Sequence, residues 1–147
     1  MFSSIVVGTD GSDTATQAVR EAVDMAKAVG ATLELVSAYT PVSEQRLSAE
    51  RRDAPGDVQW AINPRQEVET SLNAAADIAR EAGVDVNTHA RQGDPADAIL
   101  DVAEEQNSDL VILGNKGMTG AKRFLLGSVP DKVSHHAPCS VLIIRTT

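Results

Sequence analysis

The sequence predicts an α/β domain: a mainly parallel sheet with helices on both of its faces. Three observations carry this. Four short apolar runs, SIVVG (4–8), TLELVSAY (32–39), DLVILG (109–114) and SVLIIR (140–145), have the length of strands, and runs that are apolar without alternation suit a sheet covered on both sides. Segments with apolar residues at three- and four-residue spacing lie between them. The resulting order, β-α-β-α-β-α-β-α-β, alternates strictly, which implies parallel pairing and right-handed crossovers.

Each element has its own signal. After the first run, Ala18, Ala22, Met25, Ala26 and Val29 form one helical stripe over 14–29, and Gly30 stops it. The second run is followed by an irregular connection, 40–63, holding the charged cluster ERRD and Trp60. A connection this long is a lid over a ligand or a surface insertion. Val68, Leu72, Ala75 and Ala79 mark a helix over 64–82, ended by Gly83. VDVNTHAR (84–91) alternates apolar and polar residues, the pattern of an edge strand. Asp94 followed by Pro95 reads as an N-cap with proline at the first helical position, and Ile99, Leu100 and Ala103 give that helix its apolar side. A last helix is expected from Ser128 to just before Pro138.

The 147 residues make one domain, 1–147, and an apolar fraction of 42% is enough for a core. Aromatics are only 3%, so that core is aliphatic. A net charge of −8 argues against a general nucleic-acid or anionic-membrane surface. The single cysteine, Cys139, builds neither a disulfide framework nor a Cys-based metal site, and reads as a small residue entering a buried strand. The first apolar run is too short for a signal or membrane segment, so the expected location is cytoplasmic. His89, His135 and His136 lack metal-ligand spacing and read as surface or helix-end residues.

In an open parallel sheet, ligands bind outside the carboxyl ends of the strands, where strand order reverses. Two strand ends carry distinctive residues. GTDGSD (8–13) places Asp10 after the first strand; Asp10 suits a ribose hydroxyl, a metal or a turn, and Ser12 or Asp13 suits a helix cap. GNKGMTGAKRFLLGS (114–128) follows the fourth strand. Its glycines leave backbone amides unshielded, and the helix beginning at Gly127-Ser128 offers unpaired N–H groups and a positive dipole end, the needs of a phosphate cradle. From 114 to 136 the cations Lys116, Lys122, Arg123 and Lys132 face one acid, Asp131, as anion capture on an acidic protein would require.

The spacing Gly114-x2-Gly117-x9-Gly127-Ser128 resembles the ATP-binding signature of the universal stress protein family. IVVGTDGS, GDPADAILDVAEEQNSDLVILG and GSVPDKVSHHAPCSVLII are similar to that family's segments, in family order, and leave only 40–63 uninformative. The resemblance implies a single-domain open sheet of five parallel strands in the order 3-2-1-4-5, of the adenine-nucleotide alpha-hydrolase-like type. It implies that Thr9 and Asp10 meet the adenosine, that backbone near Val36 to Ala38 meets adenine, and that Gly114, Gly117, Gly127, Ser128 and Val129 line ribose and phosphates. It implies ATP as the ligand, with Mg or Mn in some members, and cyclic AMP or AMP as the alternative, since some actinobacterial relatives prefer cyclic AMP. It also implies a homodimer through the last strand and a regulatory protein partner whose identity the sequence does not give. Pro130 and Gly120 depart from the usual pattern, neither removing an identifiable required amide donor.

No catalytic residues stand out. Asp10 is the one acid placed near the pocket, and a hydrolase needs a positioned base and usually a metal held by acids. The GxxxxGK[ST] loop is missing, and GTDG lacks the dinucleotide-binding spacing. A receiver domain would want an Asp ending its third strand, where this chain has HARQG. The expected role is a nucleotide-responsive stress regulator that binds ATP and hydrolyses it slowly at most. The rival is a dimeric interaction module without a ligand.

Overall fold

The computed structural model describes residues 1–41, 64–115 and 126–146. These form β1 (Ser4–Gly8), α1 (Asp13–Val29), β2 (Thr32–Tyr39), α2 (Pro64–Glu81), β3 (Val86–Gln92), α3 (Pro95–Glu105), β4 (Leu110–Gly114), α4 (Ser128–His136) and β5 (Ser140–Ile144). The expected order of elements and the expected sheet are both found. All five strands are parallel, in the order β3-β2-β1-β4-β5. The lid or insertion expected at 40–63 lies, from residue 42 on, outside the described residues.

Alternation along the central strands divides one sheet between two cores. Ile5, Val7, Leu33, Leu35 and Ile112 face α1 and α2, packing on Val19, Leu72 and Ala76. Val6, Val36, Val111 and Leu113 face α3 and α4, packing on Ile99, Val102 and Val133. Each Val, Leu or Ile buried this way contributes roughly 1.5–3 kcal/mol. The helices supply mostly alanine against the sheet (Ala18, Ala22, Ala75 and Ala79 are buried), so they lie close to it without aromatic filler.

The helix boundaries have local causes. Ser12 caps α1, its hydroxyl accepting from the Ala15 amide at 3.2 Å. Gly30 closes the helix in the left-handed region, at φ 73°, where glycine carries no Cβ penalty. Asp94 caps α3 by accepting from the Asp97 amide at 3.0 Å, with Pro95 at the first helical position.

β3 is an edge strand, as its alternation implies. One of its residues departs from expectation. His89 is not a surface residue: its ring lies 2.7 Å from Glu34 Oε2, with the two side chains 14% and 4% exposed. Asn87 donates to the other Glu34 oxygen at 3.1 Å. Register explains this, since Glu34 sits opposite Asn87 and one pleat from His89. A buried carboxylate on β2 needs partners, and the edge strand supplies them. Cys139 is half-buried and burial pushes its thiol up, which disfavours the thiolate.

Candidate functional site

β1 is the strand at which order reverses, with β2 on one side and β4 on the other. A cavity of about 300 Å³ opens there, at the carboxyl ends of β1, β2 and β4 and beneath the N-termini of α3 and α4. Its floor follows from the turn after β1. The Thr9 amide donates to Val36 O at 2.9 Å and so extends the β1–β2 ladder by one residue. Thr9 Oγ1 then accepts from the Gly11 amide at 3.2 Å, and Asp10 Oδ1 from the Ser12 amide at 2.9 Å. Gly11 has φ 81°, and a Cβ there would stand 2.8 Å from Ser71 Oγ; only glycine makes this turn without strain. The turn leaves Asp10 exposed at the cavity mouth with its second oxygen unpartnered among the described residues.

Thr9, Asp10, Val36, Ala38, Gly114, Ser128 and Val129 all line the cavity. Gly117 lies outside the described residues, as do Lys116, Gly120, Lys122 and Arg123. Gly127 stands beside the cavity. It is the N-cap of α4, and its amide is taken, donating to Asn115 O at 3.1 Å. The Ser128 and Val129 amides that follow have no partner among the described residues. Pro130 comes next, buried in the first turn. Its ring occupies a position whose N–H would otherwise have been unpaired at the helix end. The start of α4 presents two free amides and the Ser128 hydroxyl.

Lys132 corrects the charge reading. It does not face the cavity as a free cation, because its ammonium lies 2.8 Å from Asp97 and 3.3 Å from Asp94. Those hydrogen bonds, to Asp97 first and Asp94 second, raise the lysine. The Asp97 amide, chiefly, and then Lys132 hold Asp94 below its ordinary value, against the opposing effect of burial. Lys132 thus staples α4 to α3 above the cavity. Asp10 is the only ionisable residue among the described ones that line it.

The α3 wall was missed in the sequence. Pro95 and Ile99 line the cavity, together with Ser37, Leu113 and Pro130. A signal existed: a helix capped directly after a parallel strand must begin at the carboxyl edge of the sheet, and Asp94-Pro95 marked that start. β1 accommodates α3 through Gly8, where a Cβ would fall 2.5 Å from Ile99 Cδ1. No cluster of His, Cys, Asp or Glu suited to a metal occurs among the described residues, and no helix there is long and apolar enough to cross a membrane.

Known proteins share this fold. Residues 1–145 match the Universal stress protein family. A universal stress protein of Mycobacterium tuberculosis is 37% identical over 147 residues, covering 99% of this chain and 98% of the relative. One from Methanocaldococcus jannaschii is 31% identical, covering 99% and 83%. Among solved structures, a universal stress protein in complex with cAMP superposes with a TM-score of 0.73 at 33% identity, covering 99% of this chain and 98% of that one. The Archaeoglobus fulgidus protein in complex with dAMP superposes at 0.65 with 25% identity, covering 97% and 98%. Fold, strand order and sequence agree, and the chain belongs to the universal stress protein family.

Proposed function

We propose that this protein binds an adenine nucleotide in the cavity at the β1–β4 switch and acts as a nucleotide-responsive stress regulator. The observation that carries the reading is the start of α4. Two amides without a partner among the described residues and a serine hydroxyl stand at a mostly apolar cavity, and such a helix end favours a phosphate. In this reading Val36, Ala38 and Ile99 enclose the base. Asp10 accepts from a ribose hydroxyl with its free oxygen. Ser128 and Val129 hold a phosphate, and Gly114 lets backbone approach the sugar.

The glycine spacing from Gly114 to Ser128 supports ATP, with Mg or Mn as an accompanying ion. The intervening sequence carries the cations Lys116, Lys122 and Arg123. A second reading, cyclic AMP, has its own support. The described wall carries two free amides and no cation, a set suited to one phosphate, and a neighbour 33% identical was solved with cAMP. Both readings describe a binder that hydrolyses slowly at most. Calorimetric titration of nucleotide-stripped protein with ATP–Mg and with cyclic AMP tests them. Micromolar binding of either is expected, and the tighter ligand identifies the signal. Binding of neither would leave a ligand-free interaction module.

A further inference from the structure

Asn115 joins three parts of the chain. Its amide donates to Ile144 O at 2.9 Å, at the end of β5. Its carbonyl accepts from the Gly127 amide at 3.1 Å, immediately before α4. Its side-chain Oδ1 accepts twice from Thr146, from the amide at 2.9 Å and from the hydroxyl at 3.0 Å. Thr146 is 9% exposed although it stands two residues past the last strand. A threonine buried at the end of a chain segment is held there by something, and Asn115 is what holds it.

We infer that Asn115 is a positioning residue for the phosphate-facing start of α4, and that it works by fixing that start to the chain leaving β5. The inference rests on the nucleotide reading above. Gly127 has no side chain and makes no side-chain cap, so nothing of its own aims the first turn. Its direction is set by the amide that Asn115 O accepts. Asn115 is itself fixed on the other side, because an Oδ1 with two donors from one residue leaves the side chain little freedom. Displacing Asn115 shifts Gly127, and with it the free amides of Ser128 and Val129. Phosphate binding depends on where those amides point, whereas the base contacts on β2 and α3 and the Asp10 contact to the ribose after β1 do not.

That separation gives the test. Wild type, Asn115→Ala, Thr146→Val and Thr146→Ser are titrated by calorimetry with adenosine and with AMP. Loss of a hydrogen bond at this level predicts about tenfold weaker AMP binding in Asn115→Ala and Thr146→Val, with adenosine unchanged within about twofold. Thr146→Ser, which keeps the hydroxyl, behaves as wild type. Equal losses for adenosine and AMP, or no loss of AMP binding, overturn the inference. If wild type binds neither ligand, the nucleotide reading fails, and hydrogen exchange on ligand-free protein still judges the tether. The Gly127 amide should be protected in wild type and exchange faster in Asn115→Ala and Thr146→Val. An unchanged rate at Gly127 overturns the positioning role.

Discussion

Asp109 shows how one side chain holds the start of the fold in place. It accepts from the Ser3 amide at 2.9 and 3.1 Å, from the Ser3 hydroxyl at 3.1 Å and from the Ser4 amide at 3.1 Å. Burial works to raise this carboxyl, but the bonds from Ser3 and Ser4 together outweigh it and hold Asp109 below its ordinary value. A carboxylate depressed in the folded state stabilises fully above its unfolded pKa, and that stability disappears as pH falls through the lower folded value. Asp109→Asn turns one acceptor oxygen into a donor facing amides, at a cost of about 1 kcal/mol for a partly solvated group. Thermal unfolding should therefore show a lower Tm at pH 7 for the variant. The gap from wild type should narrow as pH drops below the ordinary aspartate range; a gap independent of pH would contradict this account. Lys132 illustrates what single residues hide in a sequence. Its place among other cations suggested anion capture, but Asp94 and Asp97 lie 38 and 35 positions away in the chain and claim it first.

Elements were more legible than their contacts. Strand runs, helix stripes and caps are local, so Ser12, Gly30 and Asp94 marked their boundaries correctly. The carboxyl-edge position of Thr9, Asp10, Val36, Ala38, Gly114, Ser128 and Val129 also followed from the family resemblance. The α3 wall did not, because which helix leans over a strand end depends on side-chain volume at the crossing. Gly8 is that crossing, and it yields a prediction for the element pair. In Gly8→Ala the new methyl group meets Ile99 Cδ1 at 2.5 Å and Leu113 Cδ2 at 3.1 Å. Both neighbours line the cavity, so relief moves its wall. The contacts are with side-chain ends, so overpacking here belongs at the low end, about 1 kcal/mol. Chemical denaturation should register that loss together with weaker nucleotide binding. Full stability with wild-type affinity would mean that the Ile99 side chain turns aside and Gly8 does not set the cavity wall. His89 was misread for a similar reason, since the Glu34 it covers belongs to another strand.

At the scale of the whole molecule, the described residues leave an apolar edge. β5 ends the sheet, and Val141, Leu142, Ile143 and Ile144 remain partly exposed along it. Unpaired strand edges of this kind are normally covered. We propose a second copy of the chain as the cover, and sedimentation velocity should find a dimer that Leu142→Glu converts to monomer. A wild-type monomer at micromolar concentration would remove the proposal. The order of strands also bears on how the protein is made. β1 leaves the ribosome first, yet Ser3 finds its partner Asp109 across 106 residues. Until β4 is synthesised, β1 has one open side, and closing such long loops is slow. The cavity, assembled from residues 8 to 130, is complete only after α4 has emerged. A nascent or truncated chain would thus present a sticky half-sheet and no binding site.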